Sequence, residues 1–228
     1  MNPHPPKPPE TTVNVPRVKE KPSSVFKNTQ AQYWDERYQS VPWAYGQEPN
    51  DFLLQEVESL GSLWGNFSGR RVLCLADGEG RNGVHLARLG FTVTCLDFSN
   101  QARAKALRWA EQCGVELDYP LVDLNGYEFE PQAWDLIVSI FFQPPAPTRE
   151  RLYAGLSHAL KDQGRFILEA KHDSTNAKSE RYPGGLTLQQ NIKPLQAVRV
   201  KDCVRTLNEG PFHQGSHQVT QLHAQKMA

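Results

Sequence analysis

VLCLADGEGRNGVHLARLGFTVTCLDFS occupies residues 72–99 and decides the fold of this chain. Its first apolar run, residues 72–76, has the length and composition of a buried strand. Three glycines, Gly78, Gly80 and Gly83, follow this run at the spacing GxGxxG. A glycine turn that leaves a strand and opens a helix is typical of a βαβ unit that binds a nucleotide cofactor.

The second half of this stretch places an acidic residue where a ribose is expected. A helical pattern over residues 81–89 is followed by a second apolar run, residues 92–96, which ends at Asp97. Asp97 comes 19 residues after Gly78, the spacing at which a carboxylate accepts hydrogen bonds from ribose hydroxyls. The pattern predicts a nucleoside-containing cofactor rather than a turn that serves the fold alone.

Farther along the chain, short apolar runs alternate with helical patterns, as in parallel α/β proteins. Residues 119–122 predict a third strand, and residues 136–142 predict a central strand because they form the most apolar run. Residues 166–170 predict a fifth strand. Two further runs, residues 198–207 and 218–224, flank a glycine-containing connection, so we expect an antiparallel pair at one edge of the sheet.

The N-terminal segment differs from the rest in composition. Residues 1–30 hold seven prolines and one aromatic residue. Such a segment buries too little apolar surface to offset its conformational entropy. The sequence predicts a disordered tail over residues 1–30 and a folded domain over residues 31–228.

Charge and hydropathy disfavour several classes of function. Lys and Arg total 25, as do Asp and Glu, so no net charge attracts nucleic acid or anionic lipid. No apolar run approaches the roughly 20 residues that span a bilayer, and the N-terminus carries no secretory signal. The four cysteines show no CxxC spacing. We expect a cytoplasmic protein with reduced thiols, without a metal site, a membrane segment or a nucleic-acid partner.

The charge of the glycine turn helps to separate two cofactor classes. A dinucleotide places a pyrophosphate at the turn, whereas S-adenosylmethionine brings an ammonium and a sulfonium. Asp77 and Glu79 would repel phosphate and attract these cations, which favours S-adenosylmethionine. Arg81 follows them and would suit either a phosphate or the single carboxylate of S-adenosylmethionine. Both classes therefore stay open on the residues alone.

Residues 72–99 resemble motif I and the following motif of the class I S-adenosylmethionine-dependent methyltransferases, in particular the small bacterial tellurite-resistance group. Other matching pieces are YWDERY (33–38), YGQEPNDFL (45–53), WDLIVSIF (134–141), GRFILEA (164–170) and EGPFHQG (209–215). Three positions depart from the family, since Cys74 replaces an acidic residue, Ala76 replaces a glycine, and Asp77 stands where other members often have Cys, Ala or Glu. Because only glycine adopts positive φ without cost, we expect an unstrained backbone at Ala76.

The resemblance implies a fold, a cofactor and a set of binding residues. The fold is α/β, a Rossmann-like seven-stranded, mostly parallel sheet with helices on both faces and an antiparallel last strand. The cofactor is S-adenosyl-L-methionine, with its amino-acid part at the glycine turn, its ribose at Asp97 and its methionine moiety backed by Ser139 and Phe141. The residues expected to bind it are Tyr45, Ala76, Asp77, Gly78, Gly80, Asn82, Asp97, Phe98, Asp123, Leu124, Ser139 and Phe141. From composition alone, Asp123 fits a turn at a strand end equally well.

Aromatic residues before the first strand predict a cover over the cofactor. They are Tyr33, Trp34, Tyr38, Trp43 and Tyr45. Ring faces stabilise a sulfonium by about 0.5 to 2 kcal/mol. Ordinary packing of these rings against the sheet is an equally good interpretation for Trp34, and Tyr45, beside Gly46, is the stronger candidate for a contact with the cofactor.

The expected acceptor is a small molecule, such as a thiol or a chalcogen oxyanion. The segment over residues 142–145 lacks the acidic or Asn residue that amino-methylating relatives place before paired prolines. Soft anions of sulfur, selenium or tellurium need no general base, and the sequence indicates no catalytic residue. Two alternatives stay open, an NAD-dependent oxidoreductase with the same glycine turn and a non-catalytic relative that binds the cofactor. The oligomeric state has no sequence signal.

Two groups of polar residues late in the chain carry no predicted function. Arg199, Lys201 and Arg205 lie on strand-like sequence and predict a solvated basic face. His213 and His217 are spaced by four, but their glycine-containing segment does not predict a helical metal site.

Overall fold

A computed structural model describes residues 29–173, 175 and 180–228 of the chain. These residues form one six-stranded sheet with the order β2-β1-β3-β4-β6-β5. The strands are β1 (Arg71–Leu75), β2 (Thr92–Leu96), β3 (Trp134–Ile140), β4 (Leu160–Lys171), β5 (Gln196–Asn208) and β6 (Gln214–Gln225).

Six α-helices accompany the sheet in the described part of the chain. They are α1 (Thr29–Gln39), α2 (Asp51–Trp64), α3 (Arg81–Arg88), α4 (Asn100–Gln112), α5 (Ala146–Ala159) and α6 (Gly185–Asn191). Polar side chains begin two of them, because the first N–H groups of a helix lack partners within it. Asn50 Oδ1 accepts a hydrogen bond from Leu53 N at 3.0 Å, and Ser99 Oγ accepts one from Ala102 N at 3.1 Å.

The sheet has a parallel part and an antiparallel part. Strands β2, β1, β3 and β4 run parallel to one another. The last strand, β6, lies antiparallel between β4 and β5, as the resemblance implied. The predicted antiparallel pair at one edge is confirmed, since β5 is the edge strand and pairs with β6 along most of its length.

The prediction of seven strands is not confirmed. Residues 118–122 run along the free edge of β2, where the third strand was expected, but they form only isolated bridges, Thr94 to Asp118 and Asp97 to Leu121. Pro120 lies between the two bridging residues and has no N–H to donate. The hydrogen-bond ladder between this segment and β2 is therefore interrupted at Pro120. Because the segment would be an edge strand, no second strand from the described residues is present to compensate.

Helices pack on both faces of the sheet, as expected. Because successive strand residues point to opposite faces, Leu73 packs with α5 and α6, whereas its neighbour Val72 packs with α2 and α3. The helices that follow β1 and β3 thus lie on opposite faces. Between such neighbouring strands the chain leaves a crevice at the carboxyl ends, which is where open α/β sheets bind ligands.

The predicted N-terminal tail falls outside the described residues, apart from Thr29 and Gln30, which belong to α1. No helix within the described ranges has the length and apolar character needed to span a bilayer.

Candidate functional site

A cavity of about 630 Å³ lies at the carboxyl ends of the parallel strands. Its walls come from the loops that follow β1, β2 and β3, from the last residue of β4, from α1, and from the turn that joins β5 to β6. This volume is within the range of sites that bind small molecules or cofactors, about 300 to 1,000 Å³.

The glycines of the turn after β1 are required by close contacts. Gly78 has φ of 58°, and a Cβ there would lie 2.6 Å from the hydroxyl oxygen of Tyr38. Gly80 has φ of 83°, and its Cβ would lie 2.7 Å from the Cβ of Ala106 on α4. These contacts hold the backbone of the turn against both α1 and α4.

The expectation of an unstrained backbone at Ala76 is wrong. Ala76 adopts φ of 52°, and Phe141, at the end of β3, adopts φ of 53°. A left-handed conformation costs a residue with a Cβ roughly 1 to 2 kcal/mol. Both residues line the cavity, and strained residues held by their surroundings cluster at functional sites.

Asp97 is held by the backbone of the glycine turn and of α4. Its Oδ2 accepts a hydrogen bond from Gly78 N at 3.1 Å, and its Oδ1 accepts one from Ser99 N at 2.9 Å. Burial raises the pKa of Asp97 to about 6. No cationic side chain in the described residues forms an ion pair with it, so its charge is offset by backbone dipoles alone.

Asp77 occupies a similar environment one strand away. Its Oδ2 accepts hydrogen bonds from Gly83 N at 3.0 Å and from Cys95 Sγ at 3.3 Å. Burial raises the pKa of Asp77 to about 6. The two carboxylates therefore place negative charge beneath the turn.

Two cysteines meet beside Asp77, an arrangement that the sequence spacing did not indicate. Cys74 and Cys95 are partners in the register of β1 and β2, and the ligand atoms of both thiols and of Asp77 lie within 4.8 Å of one another. Burial raises the pKa of the Cys95 thiol well above its usual range. Since a metal ligand must be a thiolate, this environment favours hydrogen-bonded thiols over a metal site.

Most of the residues expected to bind the cofactor lie on the cavity wall. Those that line it are Tyr45, Ala76, Asp77, Gly78, Asn82, Asp97, Phe98, Asp123, Leu124 and Phe141. Gly80 lies behind the turn, against α4. Ser139 is buried in β3, and its hydroxyl lies 3.4 Å from that of Tyr153. Asp123 serves the turn as well, because its Oδ1 accepts a hydrogen bond from Asn125 N at 2.9 Å.

Aromatic rings cover one side of the cavity. Tyr33, Trp34, Tyr38 and Tyr45 all line it, and the rings of Trp34 and Tyr38 stack at 5.7 Å. Trp43 instead packs against Trp109 of α4 at 5.2 Å, away from the wall. Packing and covering are therefore both roles of this group.

The turn between β5 and β6 closes the cavity through long-range ion pairs. Glu209 Oε2 lies 2.6 Å from the guanidinium of Arg81, at the start of α3. The predicted solvated basic face is wrong for Arg205, whose side chain is 13% exposed and donates hydrogen bonds to Glu169 and to Asp51. Arg199 pairs with Glu56 at 2.5 Å, whereas Lys201 is exposed.

The same turn brings His213 to the cavity, a residue whose functional position the sequence did not indicate. The His213 ring packs edge-on against Phe141 at 4.4 Å and against Tyr45 at 5.1 Å. Its Nδ1 has no hydrogen-bond partner and lies 3.6 Å from Glu209. Burial lowers the pKa of His213, so its imidazole is neutral near pH 7. The sequence singled out this residue through its place in the EGPFHQG piece and its spacing of four from His217, and neither signal predicted a position at the cavity.

Residues 72–164 match a family model described as a methyltransferase domain. The chain resembles the class I S-adenosylmethionine-dependent methyltransferases. S-adenosylmethionine is the cofactor that this domain and fold indicate. No curated protein sequence matches the chain.

Solved structures share the fold at low sequence identity. TehB from Haemophilus influenzae superposes with a TM-score of 0.61 at 18% identity, over 75% of this chain and 62% of that one. Phosphoethanolamine N-methyltransferase 2 from Haemonchus contortus, in complex with S-adenosyl-L-methionine, gives 0.59 at 16% identity, over 76% and 52%. The [4+2]-cyclase SpnF gives 0.61 at 16%, over 94% and 98%. These likenesses establish the fold and leave the reaction to be argued from the site.

Proposed function

We propose that the chain is an S-adenosylmethionine-dependent methyltransferase that acts on a small-molecule acceptor, such as a thiol or a chalcogen oxyanion. The observation that carries this proposal is the pair of neighbouring carboxylates, Asp77 and Asp97, neither of which forms an ion pair with a cationic side chain in the described residues. The charge of Arg81 offsets that of Asp77 only in part. A cationic ligand above the glycine turn would relieve this charge, whereas a pyrophosphate would add to it. The carboxylates around the glycine turn therefore fit S-adenosylmethionine better than a dinucleotide.

The side chains around the turn suit the separate parts of the cofactor. In this proposal Asp97 and Phe98 hold the ribose and flank the adenine, and Asp123 and Leu124 lie near its amine. Ala76, Asp77, Gly78, Gly80 and Asn82 surround the amino-acid part, which carries the ammonium. Gly80 acts through the shape of the turn, because it packs behind the wall.

The bound cofactor would supply a methyl group on a sulfonium, and this chain's residues would orient the acceptor and exclude water. Tyr45 and Phe141 place aromatic surface on the wall, with His213 packed between them. A neutral imidazole at this position can accept the proton of a thiol acceptor. A chalcogen oxyanion would need no such step. Ser139 contributes indirectly, because it lies in β3 two residues before the strained Phe141.

The decisive experiment compares ligands on the purified protein. We expect calorimetry to show binding of S-adenosylmethionine and of S-adenosylhomocysteine, and no binding of NAD at the same concentrations. Preferential binding of NAD would support the oxidoreductase alternative and end this proposal.

A second measurement separates an enzyme from a non-catalytic relative. The protein is incubated with S-adenosylmethionine and a panel of thiols, selenite and tellurite, and S-adenosylhomocysteine formation is followed. We expect turnover with at least one acceptor and reduced turnover for His213→Gln with thiols. Tight binding of the cofactor with no product from any acceptor would favour a binding protein.

A further inference from the structure

Charged residues divide the cavity wall into two sides. The four acidic residues on the wall are Asp77, Glu79, Asp97 and Asp123, and all of them follow β1, β2 or the bridging segment beside β2. The opposite side is formed by the loops after β3 and β4, the closing turn and Arg37 of α1, and its charged residues are Arg37, Lys171 and Arg181. We call this opposite side the acceptor side.

The cations of the acceptor side differ from Arg81, the fourth cation on the wall. Arg81 is offset by Glu209 at 2.6 Å. Within the described ranges, no carboxylate forms an ion pair with Arg37, Lys171 or Arg181. Arg37 instead donates a hydrogen bond to the hydroxyl of Tyr45 at 3.0 Å and lies over the ring of Phe212 at 4.7 Å. The acceptor side thus carries positive charge that the protein does not neutralise.

Lys171 is held at the cavity by the end of β4. Its side chain is partly buried, and its carbonyl accepts a hydrogen bond from Gln143 at 3.2 Å. Burial, and then the nearby charge of Arg37, lower the pKa of Lys171. Two like charges in a partly desolvated site repel one another, and a bound anion would remove this cost.

Apolar surface accompanies these charges. Phe142, Pro144, Pro145, Tyr182 and Phe212 line the same side. An inorganic oxyanion would leave these groups without a contact. An organic molecule with one anionic group would use both the cations and the apolar wall, because specific pockets combine apolar walls with a few placed polar groups.

We propose that the methyl acceptor is a small organic anion whose carboxylate or phosphate group lies between Arg37 and Lys171 and whose apolar body packs against Phe142 and Phe212. This inference rests on the proposed function, because the acceptor side is defined relative to the cofactor. It narrows the acceptor from small molecules in general to organic anions.

The test uses binding, so that it does not depend on finding the natural acceptor. The full chain is saturated with S-adenosylhomocysteine and titrated in a calorimeter with 4-(mercaptomethyl)benzoate, with its uncharged analogue 4-(mercaptomethyl)benzamide, with phenyl phosphate and with inorganic phosphate. We expect an organic anion, the benzoate or the phenyl phosphate, to bind at least about tenfold more tightly than the amide and than inorganic phosphate.

Two lysine variants identify the source of the preference. Lys171→Gln should reduce the preference for the anion to within about threefold, whereas Lys201→Gln, an exposed lysine on edge strand β5, should preserve it. Unchanged affinity of Lys171→Gln for S-adenosylhomocysteine would show that the variant is folded. If Lys171→Gln loses that affinity, Arg37→Gln takes its place, with the same expected loss of preference.

Each other result counts against the inference. Equal binding of the acid and the amide, tighter binding of inorganic phosphate, an unaffected lysine variant, or no binding of either organic anion would overturn the organic-anion assignment while leaving the cofactor in place. Failure of S-adenosylhomocysteine and S-adenosylmethionine to bind would instead remove the proposed function itself.

Discussion

Carboxylates on the two sides of the cavity are held in opposite ways. Burial raises the pKa of Asp97 to about 6, and its hydrogen bonds come from backbone N–H groups. Burial alone would also raise the pKa of Glu209, but His213 and Arg81 outweigh it and lower that pKa to about 2. The charge of Glu209 in the closing turn is thus neutralised by the protein's own side chains, and this pairing holds the turn in place. The carboxylate of Asp97 beside the glycine turn keeps a negative charge that a ligand can meet.

The two regions also differ in how far apart their partners lie in the sequence. Asp97 contacts residues 2 and 19 positions away, and Asp77 contacts Gly83, which is 6 positions away. Arg81 and Glu209 are 128 positions apart. The glycine turn is therefore built from local contacts, whereas the closing turn is held by distant ion pairs. We expect substitutions in these two regions to have different effects on stability and on cofactor binding.

The largest expected effect on stability is at Glu169, a β4 residue that pairs with Arg205 in the ion-pair network next to the closing turn. This carboxylate is fully buried and accepts hydrogen bonds from Asn50 at 2.6 Å, from Gln221 at 2.8 Å and from Arg205. Glu169→Leu leaves the Arg205 charge partly uncompensated, so we expect a loss of about 3 to 5 kcal/mol in the free energy of unfolding, measured by urea denaturation.

The matched control removes a carboxylate from an exposed ion pair. Glu130 pairs with Arg71 at 3.3 Å and is 38% exposed. Glu130→Leu should cost no more than about 1 kcal/mol. Equal losses of unfolding free energy for Glu169→Leu and Glu130→Leu would show that the buried network around Glu169 stabilises the fold no more than an exposed ion pair does.

On the glycine-turn side, Gly83→Ala should overpack the space beneath the turn. The new Cβ would lie 2.4 Å from Cys95 Sγ and 2.7 Å from Asp77 Oδ2. We expect a loss near the upper end of about 1 to 3 kcal/mol in unfolding free energy, and weaker cofactor binding because Asp77 must move.

The control for this variant is a helical glycine with room for a side chain. Gly61 lies in α2, where a Cβ would be 3.4 Å from the ring of Phe67. Gly61→Ala should leave stability unchanged or raise it by up to about 1 kcal/mol, since alanine favours helix. Destabilisation by Gly61→Ala as large as that by Gly83→Ala would mean that the contacts at Gly83 are not the cause.

Asp97→Asn tests the glycine-turn side through its effect on the affinity for the cofactor. Loss of the carboxylate should weaken S-adenosylmethionine binding by about 1 to 3 kcal/mol, which is roughly 5- to 150-fold in calorimetry. Asp123→Asn, at a half-buried turn residue on the same wall, should have the smaller effect. An unchanged dissociation constant for Asp97→Asn would place the ribose elsewhere.

The smallest effect is a dependence on pH. A cation bound near Asp97 lowers the pKa of this carboxyl, so protonation below pH 6 competes with the cation. Below that pH, the affinity for S-adenosylmethionine should fall relative to that for the uncharged thioether S-adenosylhomocysteine, by up to about tenfold per pH unit. The ratio of the two dissociation constants, measured between pH 5 and pH 8, checks this.

A flat ratio across this range would indicate that the sulfonium does not sense Asp97. In Asp97→Asn the ratio should change less with pH than in the unmodified chain. A residual slope in that variant would point to Asp77, whose pKa burial also raises to about 6.

Sequence reasoning succeeded where neighbours in the chain make the contacts. The glycine turn and the antiparallel edge pair both depend on short-range pattern, and the structure contains each of them. It failed at Ala76, because contacts from other elements can hold a strained φ that local preference disfavours. The prediction of a seventh strand was not confirmed for a local reason, since Pro120 interrupts the hydrogen-bond ladder with β2.

The sequence by itself determined the order of strands and helices and the glycine turn with its acids, because hydrophobic period and backbone requirements act over a few residues. Only the tertiary structure decided that Arg205 pairs with the buried Glu169 and that Lys171, Arg37 and His213 share one wall. These residues lie far apart in the chain, and whether a charged strand residue meets water or a partner depends on what packs over it.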